Sequence, residues 1–126
     1  MVYLLQVKEV IMDNQYFFVL GEPTRFAIVE LLKKGELTVG EISTSLDIRQ
    51  PQVSKHLKVL LESGLLVIRA EANKRYYSIN KNAFIQMKSW VLDISEVVEN
   101  QFNNLENYLK ELQLGNTNND KDNEEN

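Results

Sequence analysis

The sequence predicts a mainly α-helical fold with one small β-hairpin. Three observations support this. Apolar residues recur at helical spacing along most of the chain, helical segments stop at glycines such as Gly35 and Gly64, and only residues 65–80 place two β-type runs around a polar loop. The 126 residues are 44% hydrophobic and 25% charged, which is ordinary for one globular domain. We expect that domain to cover residues 1–114.

The first helices are recognised by the residues at their ends. Residues 1–20 are apolar and aromatic and predict one or two helices without definite bounds. Pro23 suits the first turn of the next helix, which we expect to stop before Gly35. Thr38 and Glu41 have the spacing of a capping box, so a short helix is predicted from there to Leu46.

A longer helix follows, from about residue 49 to 63, with a hairpin over residues 65–80. Pro51 lies in the first turn of this helix, where its missing N–H does no harm. Two short strands are expected around the polar residues 70–74. This order of elements is that of a winged helix-turn-helix, in which the second helix of the pair enters the major groove of DNA. The hairpin would be the wing.

The last helix has the strongest periodicity, and we predict it over about residues 82–113, ending at Gly115. Its apolar stripe, over residues 84–112, would be about 40 Å long. Its apolar stripe could pack within the monomer. We favour an interface between two subunits because the stripe is longer than the compact part of the domain. The expected interface residues are Met87, Val91, Ile94, Val98, Phe102, Leu105 and Leu109. Residues 115–126 contain no aliphatic or aromatic side chain and predict a disordered acidic tail.

The net charge of −4 conceals a basic segment in the middle of the chain. Residues 47–81 contain seven basic and three acidic residues, a net charge of +4, whereas residues 84–114 and 115–126 each carry −3. A partner that meets one face responds to the local charge, so this basic segment is compatible with nucleic acid.

The predicted reading helix and wing carry side chains suited to DNA. Glutamine can pair with adenine, lysine can reach guanine or phosphate, and cations at a hairpin tip can meet phosphates or an adjacent minor groove. The predicted DNA-contacting residues are Arg49, Gln50, Gln52, Ser54, Lys55, His56, Lys58, Arg69, Asn73, Lys74 and Arg75.

Several other functions are excluded or disfavoured by the residues present. With no cysteine and one histidine, the chain cannot form disulfides, thiolate metal sites or sites with two imidazoles. It has no phosphate-binding loop, no dinucleotide-binding loop and no credible nucleophile–base pair, so we expect neither an enzyme nor a cofactor. No apolar run approaches the length of a membrane span, and a cytoplasmic location is expected.

Five blocks of sequence together resemble the ArsR (arsenical-resistance repressor) family, over about residues 12–112. The blocks are Gly21–Arg25, Glu36–Ile42, Gln50–Leu60, Glu62–Leu66 and Lys74–Ile79. The resemblance implies a homodimeric bacterial winged-helix transcriptional repressor, paired through its first and last helices. It also implies that residues 50–58 read DNA and that residues 70–75 form the wing.

The chain departs from the metal-sensing members of that family. Thr38 and Gly40 stand where such members need thiols, and three carboxylates on the last helix (Asp93, Glu96 and Glu99) have no histidine beside them. The chain therefore looks more like metal-independent members, including autorepressors of toxin-immunity type operons. Arg49 replaces a helix-capping serine that is common in the family.

The sequence thus predicts a repressor that binds double-stranded DNA as a homodimer, at an inverted-repeat operator, without responding to metal. The alternative is a winged-helix protein-interaction or dimerisation module that has lost DNA binding, although such a scaffold has no need of a basic wing. An anti-repressor protein or a small ligand is a further candidate partner.

Overall fold

The computed structural model describes the backbone of residues 14–124 and the side chains of residues 14–115. In this part of the chain the elements are, in order, helices α1 (Gln15–Leu20), α2 (Pro23–Leu32), α3 (Val39–Leu46) and α4 (Gln50–Ser63), strands β1 (Leu66–Glu71) and β2 (Lys74–Ile79), and helix α5 (Lys81–Glu124). The predicted helical fold with a hairpin is confirmed. The helices predicted within residues 1–13 lie outside the described residues.

Local capping interactions set the starts of α2 and α3. The carboxylate of Glu22 accepts a hydrogen bond from the backbone N–H of Arg25 at 2.8 Å, and Pro23 occupies the first turn of α2. In α3 the Glu41 N–H donates to Thr38 Oγ1 and the Thr38 N–H donates to Glu41 Oε1, each at 3.2 Å. The predicted capping box is therefore present, and it satisfies amides that the helix leaves without partners.

A tight turn joins α3 to α4. Asp47 ends α3 in the left-handed region, with φ of 55°, and the Ser43 hydroxyl donates to the carbonyl of Ile48. Gly64 ends α4 with φ of 88°, a conformation that glycine adopts without the steric cost of a β-carbon. Both ends of α4 are thus determined within a few residues of sequence.

The hydrophobic core lies beneath α4. This helix buries Val53, Leu57 and Leu60, which recur on one face at helical spacing. The other buried residues of this core are Val19, Ile28, Val29, Leu32, Ile42, Leu65, Leu66, Ala83 and Met87. Because α4 presents its apolar face to them, its polar face is directed away from the core.

Met87 was predicted at the subunit interface but lies in the hydrophobic core of the chain. Its side chain is only 6% exposed and belongs to the hydrophobic core. The helical stripe that suggested a subunit contact starts with residues that are buried within the chain, because the first turns of α5 complete the core. Periodicity alone does not distinguish these two kinds of burial.

The hairpin is longer than predicted and is tied to the segment before α3. Its antiparallel register runs from Leu66 opposite Ile79 to Glu71 opposite Lys74, so the turn contains residues 72 and 73 instead of the predicted loop 70–74. Leu37 and Tyr77 exchange two backbone hydrogen bonds, at 3.1 and 2.8 Å. This bridge places a third stretch of extended chain beside the wing.

Helix α5 also differs from the prediction. It continues through Gly115 to Glu124, where we expected a helix end and a disordered tail. A glycine inside a helix costs about 1 kcal/mol relative to alanine, which does not end a helix by itself, and no proline follows. The last two residues of the predicted tail lie outside the described part.

The chain divides into two units, residues 1–88 and residues 89–126. Over its described length the second unit consists of α5 alone, and the single domain over residues 1–114 stays a prediction. Six apolar residues of its stripe are 46–67% exposed: Val91, Ile94, Val98, Phe102, Leu105 and Leu109. No helix in the described part of the chain has the length and apolar character of a transmembrane span.

Candidate nucleic-acid interface

The exposed side of α4 carries most of the predicted DNA-contacting residues. The burial of Val53, Leu57 and Leu60 orients the helix, so the residues on its opposite side face solvent. The exposed predicted residues on α4 and its N-cap are Arg49, Gln50, Gln52, Ser54, Lys55 and Lys58. This side combines hydrogen-bonding groups that can read base edges with cations that can meet phosphates.

The N-terminal end of α4 lacks a side-chain cap. Arg49 is the N-cap residue in an extended conformation, and its side chain accepts no hydrogen bond from the helix. The Gln50 amide lies beside α3, since a β-carbon at Gly40 would be 3.5 Å from Gln50 Nε2. Pro51 has no N–H and the Gln52 N–H donates to the Arg49 carbonyl at 3.0 Å, so the feature that favours an anion at this end is the positive end of the helix dipole.

His56 is not on the exposed side of α4. Its side chain is 19% exposed, and its Nδ1 lies 3.6 Å from Oε2 of Glu22, the residue that caps α2. The pKa of Glu22 is lowered, chiefly by the backbone N–H of Arg25 and to a smaller extent by the Thr24 N–H and the charges of His56 and Arg25. His56 therefore links α4 to α2, and its contact with DNA stays a prediction.

The predicted DNA-contacting residues of the wing fall into two groups. Asn73, Lys74 and Arg75 are exposed at the hairpin turn. Arg69, in contrast, forms hydrogen bonds with Glu36 at 2.6 and 3.2 Å and with Glu71 at 2.5 Å. The structure therefore pairs Arg69 with two carboxylates, whereas we predicted a cation available to phosphate.

Five cations remain available at the proposed interface. Within the described part of the chain, the basic members of the ion pairs are Lys33, His56, Arg69 and Lys110. Among the predicted DNA-contacting residues, the exposed cations outside those pairs are Arg49, Lys55, Lys58, Lys74 and Arg75. Glu62, one turn beyond Lys58, is the exposed acidic residue of α4. We call the five cations together the basic surface.

Sequence reasoning missed Glu22 and Glu36 as residues that organise this region. Glu22 had a local signal, because an acceptor directly before Pro23 at a helix start is a capping position. Glu36 had none, because its partner Arg69 is 33 residues further along the chain. Among the described residues, no cluster of histidine, aspartate and glutamate has the arrangement of a metal site.

Helices α3 and α4 are joined by a tight turn, α4 exposes a polar face, and a two-stranded hairpin follows. This arrangement defines a winged helix-turn-helix DNA-binding protein. Residues 22–67 match the family model described as "Bacterial regulatory protein, arsR family". The chain is 31% identical over 80 residues to the transcriptional repressor SdpR of Bacillus subtilis, covering 64% of this chain and 89% of that protein. The chain belongs to the arsR family of bacterial regulatory proteins.

Other comparisons agree with this assignment. The arsenical resistance operon repressor of Escherichia coli is 43% identical over 67 residues, which span 52% of this chain and 57% of that protein. A homodimeric winged helix-turn-helix DNA-binding domain from Mycobacterium bovis, described as a possible ArsR-family regulator, is 26% identical with a TM-score of 0.51. It covers 63% of this chain and 75% of that chain. The protein is a DNA-binding transcriptional regulator of a family whose members are not enzymes.

Proposed function

We propose that this chain is a homodimeric transcriptional repressor that acts in the bacterial cytoplasm and reads an inverted-repeat operator with α4. The observation that carries the proposal is the basic surface, whose five exposed cations are divided between α4, its N-cap and the wing tip. Within α4 these cations flank Gln52 and Ser54, which have the hydrogen-bonding groups needed to discriminate bases. Phosphate contacts would position the helix, and these two side chains would specify the sequence.

Pairing of two subunits would supply the second reading helix. The exposed stripe of α5 offers aliphatic and aromatic side chains in a row, among them Val98, Phe102 and Leu105. Contiguous apolar surface of this kind marks sites of association, and the related domain from Mycobacterium bovis is homodimeric. A two-fold dimer would place its reading helices in successive major grooves, about 34 Å apart.

We further propose that metal ions do not release this repressor. Zinc and softer metals bind thiolate or imidazole ligands, and the chain contains no cysteine and one histidine, His56. His56 lies beside Glu22, so its imidazole is used between two helices. An anti-repressor protein or a small ligand remains the class of inducer that suits the chain.

Selection of duplexes from a random pool tests the proposal. We expect the wild-type protein to enrich an inverted repeat whose half-sites are about 10 base pairs apart. Gln52→Ala should relax the preference at one position of each half-site, whereas Lys33→Ala, on the exposed end of α2, should leave it unchanged. Recovery of no preferred sequence would favour the protein-interaction alternative, and recovery of single half-sites would contradict the dimer.

Release of the selected duplex tests the statement about metals. Addition of zinc or arsenite at one or two equivalents should leave the complex intact in a mobility-shift assay. Dissociation at those concentrations would contradict a metal-independent repressor.

A further inference from the structure

We infer that Arg69 is a positioning residue, which holds the wing against the segment before α3, and that it is not a phosphate ligand. The inference rests on the proposed function, because its consequence for DNA binding requires a wing that meets DNA. It deepens that function by separating the wing residues that contact DNA from the one that orients them.

The contacts of Arg69 occupy most of its guanidinium group. Nη2 and Nε donate to the two carboxylate oxygens of Glu36, at 2.6 and 3.2 Å, which is the paired arrangement that a planar guanidinium makes with a carboxylate. Nη1 donates to Glu71 at 2.5 Å. Three of the five N–H groups are thus used, and a phosphate would compete with two carboxylates that already contact the guanidinium.

The aromatic ring of Tyr76 adds a fourth contact. The central carbon of the guanidinium lies 4.6 Å from the centre of the ring, within the range of a cation–π interaction. Tyr76 is directly opposite Arg69 in the β1–β2 register. One side chain of β1 therefore contacts its own strand, the paired strand and the segment before α3.

The electrostatics agree with this geometry. Hydrogen bonding to Arg69 lowers the pKa of Glu36, and the two carboxylates raise the pKa of Arg69. Each group therefore stabilises the charged form of the other throughout the physiological range. The guanidinium has a local surplus of acidic neighbours, so it adds little net attraction for DNA.

The Arg69–Glu36 pair acts next to the backbone bridge between Leu37 and Tyr77. A two-stranded hairpin by itself is marginally stable, and its orientation depends on what it packs against. The bridge and the ion pair together hold the middle of the wing at two neighbouring positions. Lys74 and Arg75 at the tip would then meet DNA from a defined position, without the entropy cost of ordering a mobile hairpin.

Glu36→Gln separates the two roles because they predict opposite results. A phosphate-binding Arg69 would be released by this substitution, so binding would tighten by more than the loss of one negative charge provides in either role. A positioning Arg69 would lose its strongest partner, and we expect binding to weaken by about two- to fivefold. The probe is a labelled duplex that the wild-type protein recovers from a random pool.

The double variant Arg69→Gln/Glu36→Gln adds a salt-dependent readout at unchanged net charge. We expect it to weaken binding about as much as Glu36→Gln alone, with the wild-type slope of log affinity against log salt concentration. Lys74→Ala is the comparison that should reduce the slope, by about 0.9 for each subunit. Glu30→Gln, which breaks the exposed pair with Lys33, is the matched control and should bind like wild type.

Hydrogen exchange of the free protein provides a test that does not need DNA. The amides of β1 and β2 should exchange faster in Glu36→Gln than in wild type or Glu30→Gln. Tighter DNA binding by Glu36→Gln, a reduced salt slope in the double variant or unchanged exchange in the wing would overturn the inference. If the wild type binds no duplex, the proposed function fails and the exchange measurement alone decides the role of Arg69.

Discussion

Removal of Lys55 gives a quantitative test of the basic surface. If all five cations of that surface meet phosphates, each subunit contributes about 4.5 to the slope of log affinity against log salt concentration, and a dimer about 9. Raising the salt concentration from about 50 to about 200 mM would then weaken binding by about five decades. Lys55→Ala removes one cation from each subunit, so the slope should fall by about 1.8 and the same change in salt should cost about four decades.

Fluorescence anisotropy with a labelled duplex, at four salt concentrations, measures both slopes. Lys33→Ala is the matched control, because it removes the same charge from the exposed end of α2, where Lys33 pairs with Glu30 at 2.9 Å. A wild-type slope in Lys55→Ala would refute the phosphate contact of this residue. An equal reduction in Lys33→Ala would show that total charge, and not the basic surface, controls binding.

Three further predictions follow from the core, from a helix cap and from the second unit. Leu57→Ala should lower the free energy of unfolding by about 2–5 kcal/mol in urea titrations, because Leu57 is 1% exposed. Val59 is 37% exposed on the same helix, and Val59→Ala should lower the free energy of unfolding by less than about 1 kcal/mol. Equal losses would contradict the orientation of α4. The pKa of Glu22 is lowered, chiefly because its carboxylate accepts a hydrogen bond from the N–H of Arg25. Its negative charge therefore stabilises the fold at pH values above the ordinary pKa of a glutamate, and this contribution disappears as the pH falls through the lowered pKa. Glu22→Gln should therefore be less stable than wild type at about pH 7 in thermal unfolding, and the difference should shrink as the pH falls below the ordinary pKa of a glutamate. A difference that does not change with pH would refute the charge-dependent part. Leu105→Glu should convert the proposed dimer to monomer in sedimentation equilibrium, because it puts a charge in the exposed stripe of α5; an unchanged dimer would exclude this part of the stripe from the interface.

Local signals predicted the reading helix within one residue. Pro51 near its start, Gly64 at its end and three apolar residues at helical spacing lie within the same short segment, so no distant contact is needed to specify them. The capping box of Thr38 and Glu41 is equally local and is confirmed by two hydrogen bonds. These interactions depend on neighbours in sequence, which is why pattern and propensity were sufficient.

In the wing, the polarity of the residues does not distinguish an exposed strand from a loop. Residues 70–74 are polar and were predicted to be a loop, but Glu71 and Lys74 are a cross-strand pair. A hairpin that projects from the core has little apolar alternation at its tip, so an exposed strand and a loop have similar compositions. The backbone pairing, which composition does not report, determines where the strands end.

Sequence alone determined the order of the elements, the family blocks and the segment that carries positive charge, because each of these is set by neighbouring residues or by counting. Only the tertiary structure decided which of those residues remain available to a partner. Met87 is used by the core, His56 lies beside Glu22, and Arg69 is paired with Glu36. Each of these positions depends on a residue brought close by folding across a long stretch of chain, and side-chain type at one position does not specify that partner.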